Sequence, residues 1–392
     1  MLKLRFFLLG CWIILPILSI SQPLSPQAKF SILTCDPGAE VYALHGHSAL
    51  RVQDQRTNLD MVCNWGVFDP GDSQLEFAIS FAKGKMDYLL EIQSFSDFIY
   101  LYQVEERAVR ELELALSIPQ KKSLWESIQE NNLPKNRAYR YDFFFNNCAT
   151  IIRDRIANVI ADSVKWYQHS QAGSVSFRSL IDENLYVQPW SDFGIDFSLG
   201  AKTDHLVSNS ELMFLPLKME EIMSKSVIGN RSLVTSDRVI LDFPFKRENP
   251  SLTQTVSFLF WIILFIGAGI LFLKWDLVAK LFDGIFFTIL GLGGIVILFL
   301  WFGTEHTTTD ENYNVLWANP IHFIIPVFLA FKKWRNRFGK LFLALSIFYF
   351  LFVLFWYFLP QELNSAARPI ILTIGLRYYY WFRRTKSHAV ST

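Results

Sequence analysis

The last third of the chain is a series of apolar runs, at about 256–273, 281–302, 317–331, 341–359 and 368–382, parted by short polar stretches. The first, second and fourth have the ~20-residue length that spans a hydrocarbon layer. The third and fifth are shorter and begin near Pro320 and Pro369. The pattern predicts five transmembrane helices. At the other end, Lys3 and Arg5 precede an apolar run over residues 6–20 and a small-x-small site at Ser19-Ile20-Ser21. This predicts a secretory signal over residues 1–21, with an uncleaved anchor helix as the alternative. Between the two ends the pattern is mixed. Residues 40–53 alternate apolar and polar positions and 60–68 are strand-like, predicting a hairpin across the polar turn at 54–58. From 105 to 131, Val109, Leu112, Leu116, Leu124 and Ile128 recur at helical spacing. Residues 138–145 read as a strand, and 149–164 as an amphipathic helix through Ile152, Ile156, Val159, Ile160 and Val164. The expected organisation is an α+β domain over 22–250, an all-α membrane bundle of about five helices over 251–385, and a tail over 386–392.

Charge sets the orientation. Residues 1–255 carry 25 Lys and Arg against 30 Asp and Glu, and residues 256–392 carry 12 against 6. An acidic front half argues against nucleic-acid binding. With the N-terminal domain outside, Lys274, Lys280, Lys332, Lys333, Arg335, Arg337, Lys340, Arg377, Arg383, Arg384 and Lys386 all fall on the inner side, leaving Arg368 at an outer end. The spans otherwise read as nearly free of charge pairs, which argues against a transport pathway. Among four cysteines, Cys11, Cys35, Cys63 and Cys148, there is no C-x-x-C or Cys/His zinc spacing. Cys35 and Cys63 are candidates for a disulfide in an oxidising compartment.

Two stretches carry chemistry: Leu44-His45-Gly46-His47-Ser48-Ala49-Leu50-Arg51, and Phe145-Asn146-Asn147-Cys148-Ala149-Thr150. The second places a cysteine where a strand gives way to a helix. Unpaired N–H groups and the dipole at a helix start stabilise a thiolate and can receive an oxyanion. Such a thiolate needs a proton carrier, and imidazole suits that near neutral pH. Other readings stay open. A cysteine at a helix start is often an inert core residue. His45 and His47, on one face of a strand, form an H-x-H pair able to bind metal. Ser48 lacks a Gly-x-Ser-x-Gly elbow.

The run Thr34-Cys35-Asp36-Pro37-Gly38, Tyr42 and Gly46-His47-Ser48-Ala49-Leu50-Arg51 resembles the opening of the Lnb-type lipoprotein N-acyltransferase family. Asn64-Trp65-Gly66-Val67-Phe68, Phe81-Ala82-Lys83-Gly84-Lys85, Tyr139-Arg140-Tyr141-Asp142-Phe143-Phe144, Asn147-Cys148-Ala149-Thr150, Pro189-Trp190, Gly194-Ile195-Asp196, Leu199-Gly200 and Met213-Phe214-Leu215-Pro216 follow in order. Thr304-Glu305-His306 and Asn312-Tyr313-Asn314-Val315-Leu316-Trp317 then resemble that family's external membrane loop.

The resemblance implies a permuted NlpC/P60- or papain-like domain, in which the histidine strand precedes the cysteine helix. It also implies the roles: Cys148 the nucleophile, His47 the base, Asn64 on the neighbouring strand the group that orients it. The loop over 303–319 is polar and free of Lys and Arg; either it is an ordinary solvated loop with His306 incidental, or His306 and Asn314 meet headgroup or amine beside Cys148. The implied reaction moves an acyl chain from a membrane phospholipid, through a Cys148 thioester, to the α-amino group of a diacylated lipoprotein. It would take place at the periplasmic face of a bacterial inner membrane, without cofactor or metal. The rival reading is a membrane-anchored cysteine peptidase or amidase acting on cell-wall peptides.

Overall fold

The computed structural model describes residues 23–68, 80, 82–244, 248–272 and 275–389. The signal expected over residues 1–21 lies outside them. The N-terminal half is built on a seven-stranded antiparallel sheet. Its strands are β1 (Lys29–Cys35), β2 (His47–Asp54), β3 (Leu59–Phe68), β4 (Asp87–Ser94), β5 (Val109–Leu114), β6 (Ala138–Arg140) and β10 (Val234–Leu241), in the order β10-β5-β1-β2-β3-β4-β6. Residues 164–165, 227–228 and 231–232 (β7, β8 and β9) form a small separate sheet. Side chains alternate between the two faces of a strand, and both faces here are covered. Ile32, Leu50, Cys63, Leu90 and Leu112 enter the main core with α2 (Ile118–Asn132), α3 (Cys148–Ile160), α4 (Phe177–Leu185), the short α6 (Asn209–Leu212) and α7 (Pro216–Lys225). Leu33, Cys35, Ala49, Val62 and Val109 pack on the opposite face under α1 (Phe95–Val104). Cys35 and Cys63 therefore sit on opposite faces, both as free thiols. The sheet lies between them, and the candidate disulfide does not form.

The hairpin of β2 and β3 closes with Asn58 at φ 54°, a left-handed conformation that asparagine tolerates. Several expected elements differ. The strand expected over 138–145 pairs only at Ala138–Arg140, and the helix expected to 164 ends at Ile160. The alternating stretch from residue 40 is not strand throughout: Val41–Ala43 is a 3-10 turn, Gly46 turns the chain at φ 77°, and pairing starts at His47. The helix expected from residue 105 begins only at Ile118. Val109–Leu114 is instead a strand between β1 and β10. Its three-residue spacing from Val109 to Leu112 straddles the sheet: Val109 faces the α1 layer, and Leu112 and Leu114 face the main core.

The C-terminal region is helical: α8 (Val256–Gly269), α9 (Asp276–Phe302), α10 (Ile325–Ala330), α11 (Lys332–Arg337), α12 (Gly339–Phe355) and α13 (Arg368–Ala389). Among the described residues, Asp276–Phe302, Tyr313–Ala330 and Gly339–Phe358 are long and apolar enough to cross a membrane, and α8 is apolar but shorter. The stretch 313–330 is not one regular helix. Two 3-10 turns, Tyr313–Leu316 and Pro320–Ile324, precede α10, and the backbone of 318–323 presses against Gly291 and Gly294 of α9. A Cβ at either glycine would overlap the backbone of 318–323. Irregular backbone at membrane depth is tolerated where protein covers it in this way.

The near absence of intramembrane charge pairs is corrected here. Arg377, counted among the inner-side basic residues, is fully buried in α13. Its Nε and Nη2 meet the Asp283 carboxylate of α9 at 2.6 and 2.8 Å, and its Nη1 donates to the Gly267 carbonyl of α8 at 3.1 Å. Trp381 Nε1 donates to the same carboxylate at 2.7 Å. One ion pair thus fastens three helices, and removing either partner would strand a buried charge at a cost of about 3–5 kcal/mol.

Candidate active site

The turn before α3 aims Cys148. Asp142 accepts the N–H groups of Phe144 and Phe145, and Asn146 folds back to bridge Asp142. Asn147 is then the helix cap: its Oδ1 accepts from the Ala149 and Thr150 amides at 2.9 Å each. Its Nδ2 donates to the Phe143 and Phe214 carbonyls, and Thr150 Oγ1 accepts from the Asn147 amide to complete a capping box. The Asn-Cys-Ala-Thr sequence thereby makes Cys148 the first residue of the helix. The cap also alters the expected oxyanion arrangement. Two of the first-turn amides are taken by Asn147, and the amide of Cys148 itself is not used by the cap.

His47 opens β2, and Asn64 lies on β3. Their side chains meet at 2.7 Å, His47 Nε2 to Asn64 Oδ1. An amide oxygen only accepts, so Nε2 carries the hydrogen and Nδ1 is left for Cys148, with which His47 hydrogen-bonds. Gly66, at φ 109° beside the β-bulge between Trp65 and Val67, makes room. A Cβ there would stand 3.5 Å from the His47 ring and 3.9 Å from Cys148 Cβ. Burial pushes the Cys148 thiol up, but the His47 charge and hydrogen bond, with the Ser48 and Ala149 backbone N–H groups, bring it below the ordinary thiol value. Burial likewise lowers His47, and the Cys148 thiolate and the Asn64 hydrogen bond outweigh it and hold the imidazole above its ordinary value. The two shifts have opposite signs, as expected of a thiolate–imidazolium pair.

His45 does not share this site. Gly46 turns the chain between the two histidines, and His45 is buried against Phe143 with its Nδ1 3.4 Å from Asn184 Nδ2. The H-x-H reading placed both on one strand face; the turn separates them. The other two expected site residues sit on the external loop. His306 is set against Gly84, and no described contact joins it to His47 or Cys148. Asn314 is buried, with Nδ2 donating to the Asp196 and Phe197 carbonyls and Oδ1 accepting from Trp317 Nε1. Its Nδ2 and Oδ1 are both engaged within the protein.

The loop instead clasps the two halves together. Glu305 pairs with Lys85 and Arg140, and its amide donates to the Lys83 carbonyl. Thr307 donates to Asp142, and Asp310 pairs with Lys202. Gly200 donates to the Thr308 carbonyl, and a Cβ on it would overlap the Asp310 carbonyl oxygen. From the other side α5 (Pro189–Ser198) lays Phe193 on Phe260 of α8 and Phe197 on Trp317.

Several groups around the site were not singled out from sequence. Tyr139 and Tyr141 lie close enough to Cys148 to feel its charge; burial first, and then the thiolate, push both phenols up, so both stay protonated donors. The stretch 138–145 reads as a strand in sequence, but only Ala138–Arg140 pairs and the chain then turns through Asp142–Asn146, which brings these phenols near Cys148. Beneath the domain, fully buried Arg178 bridges Asp196 and Asp204. Asp182, Asp192 and Asp196 bring carboxylate oxygens within 4.8 Å of one another, the group among the described residues that converges closely enough to hold a metal ion. Arg178 and Asn364 already bond it from either side. Burial, then the neighbouring Asp196 and Asp192 charges, push Asp182 up to about 8, and burial with Asp196 pushes Asp192 up to about 6.

Comparison with known families agrees with this division of the chain. Residues 24–183 match the Lnb N-terminal periplasmic domain, and residues 246–388 match the Lnb transmembrane domain. No curated protein and no solved structure matches the chain. This is a membrane protein carrying a periplasmic domain, and the chain belongs to the Lnb-type lipoprotein N-acyltransferase family.

Proposed function

We propose that the chain is a thiol-dependent acyltransferase that N-acylates lipoproteins at the periplasmic face of the inner membrane. The observation that carries the reading is the Asn64–His47–Cys148 line at a helix start, with the sulfur's pKa depressed and the imidazole's raised. In the first half-reaction the Cys148 thiolate attacks the carbonyl carbon of a phospholipid ester. A C–S bond forms, the ester C–O bond breaks, and the leaving lysophospholipid oxygen takes the proton from the His47 imidazolium. In the second, the α-amino group of a diacylglyceryl-cysteine attacks the thioester. A C–N bond forms, the C–S bond breaks, and the amine proton returns to His47. Asn64 holds the imidazole so that Nδ1 faces the sulfur throughout. The Cys148 amide is the donor placed for the oxyanion, with Tyr139 and Tyr141 as further protonated groups nearby.

The membrane part supports a lipid substrate better than a cell-wall peptide. A peptidase needs only one anchor, whereas here a loop between apolar helices grips the thiol domain at Glu305, Thr307 and Asp310. Five spans remain our reading of the helical region. Mass spectrometry of lipoprotein N-termini tests the function, in cells carrying the wild-type chain or Cys148→Ser as the only N-acyltransferase. Triacylated N-termini with the wild type and diacylated ones with the serine variant are expected. Unchanged N-acylation in the variant refutes the thiol mechanism, and cell-wall peptide cleavage without N-acylation refutes the reaction.

A further inference from the structure

The two ends of the helical bundle spend their charges differently. Residues 256–392 hold six carboxylates. Four of them, Glu305, Asp310, Glu311 and Glu362, lie on the two connections that meet the periplasmic domain. There Glu305 pairs with Lys85 and Arg140, Asp310 pairs with Lys202, and the Glu311 carbonyl accepts from Ala201. Asn364, two residues after Glu362, donates to Asp192 and Asp196. The other two carboxylates are committed within the bundle, Asp283 to Arg377 and Asp276, the first residue of α9, to Arg384.

This leaves one cationic segment without a counter-charge. Residues 332–340 read Lys-Lys-Trp-Arg-Asn-Arg-Phe-Gly-Lys, five cations in nine residues, and no Asp or Glu occurs between Glu311 and Glu362. Among the described residues, none of the side chains of Lys332, Lys333, Arg335, Arg337 and Lys340 makes a hydrogen bond or ion pair. Arg335 lies over the Trp381 ring at 5.2 Å, and the other four are exposed. The segment is packed onto the bundle, since a Cβ at Gly339 would strike Thr385 of α13. Its aromatic residues are placed as interface anchors. Trp334 is 40% and Phe331 57% exposed, and their rings stand 5.6 Å apart.

The segment also has a definite depth. α9 is 27 residues long, about 40 Å at 1.5 Å per residue, and its Phe302 end runs into the loop that clasps the periplasmic domain. Its Asp276 end shares a small cleft with Arg335, Asn336, Trp381 and Arg384. Residues 332–340 therefore sit at the end of the bundle opposite Cys148.

We propose that residues 332–340 form a docking surface for anionic phospholipid of the inner leaflet, with headgroup phosphates on Lys332, Lys333, Arg337 and Lys340 and the Trp334 and Phe331 rings at the acyl boundary. Each Lys or Arg beside an anionic lipid surface strengthens the attraction by about fivefold, and four exposed cations on one short segment act together. A lipid held here is not an acyl donor, because the bundle separates it from the thiol. The inference stands apart from the acyl-transfer reading.

The test uses the full-length protein in nanodiscs of phosphatidylcholine with a graded share of phosphatidylglycerol. Tm is measured at low salt and at about 1 M salt, where the screening length falls to about 3 Å. Lipids retained on release are identified by native mass spectrometry. Tm should rise with phosphatidylglycerol at low salt and lose that rise at high salt, and phosphatidylglycerol should be retained over phosphatidylcholine. Combining Lys332→Gln, Lys333→Gln, Arg337→Gln and Lys340→Gln should weaken that retention by about tenfold or more. These charges also orient the chain during insertion, so a charge-preserving set, Lys332→Arg, Lys333→Arg and Lys340→Arg, should keep both responses. Alkylation of Cys148 should be unchanged in both sets. A wild-type Tm indifferent to phosphatidylglycerol, equal retention of the two lipids, or undiminished retention in the glutamine set each overturns the proposal.

Discussion

Replacing Asn64 with alanine removes the one side-chain contact that the described bonds show on His47 Nε2, a 2.7 Å hydrogen bond. The bond does two things. It fixes the tautomer that leaves Nδ1 toward Cys148, and it stabilises the imidazolium, since Asn64 is among the groups that hold the His47 pKa up against burial. A hydrogen bond to a charged group contributes about 1.5–3 kcal/mol net, and each 1.4 kcal/mol is a factor of about ten in rate. Asn64→Ala should therefore slow Cys148 acylation by about 10- to 100-fold, less than loss of His47 itself. A merely structural role would not move the thiol's titration. The assay is the pH profile of Cys148 alkylation by iodoacetamide, monitored by mass. In the wild type, alkylation should set in below the ordinary thiol range, because the thiolate is stabilised by a protonated His47. The onset should move to higher pH in Asn64→Ala and further still in His47→Ala, while Asn64→Gln restores part of the shift. A profile in Asn64→Ala that superimposes on wild type, at unchanged thermal stability, would refute the positioning argument.

Three further outcomes follow from contacts already described. His45→Ala should leave thioester formation nearly intact, whereas His47→Ala should cost about 100- to 10,000-fold; comparable loss at both with chelator sensitivity would restore the metal reading. Gly200→Ala should push the external loop off the domain, because the new Cβ meets the backbone carbonyl of Asp310. At about 1–3 kcal/mol for such overpacking, Tm should fall by several degrees and the 303–312 loop should become open to protease. An unchanged melt and unchanged protection would show that the clasp tolerates bulk. Asp182 has a folded pKa raised to about 8 from 3.8, so its contribution to stability is full below about pH 4 and is lost as pH rises through about 8. Asp182→Asn should thus gain in Tm over wild type progressively toward alkaline pH, and a gap that stays constant with pH would refute this.

Much of the architecture was legible in the chain because its signals are local. Apolar runs the length of a bilayer, a polar hairpin turn at 54–58 and the Asn-Cys-Ala-Thr helix start each express a period or a cap within a few residues. The family resemblance, carried by short ordered motifs, pointed to the same two-part chain that the family models match. Local spacing misled where two faces of a sheet share one strand, as at Val109 and Leu112, and where a positive-φ glycine splits an apparent strand, as at Gly46 between His45 and His47. Only the tertiary structure decided which distant groups meet. Cross-strand register brings Asn64 within 2.7 Å of His47, a bulge at Gly66 opens room for Cys148, and the sheet itself holds Cys35 and Cys63 apart. Helix packing makes Arg377, read from sequence only as an inner-side cation, the buried partner of Asp283, and loop docking commits Asn314 to α5. These pairings lie 17 to about 120 residues apart in sequence. No periodicity reaches that far; close packing around a shared core decides them.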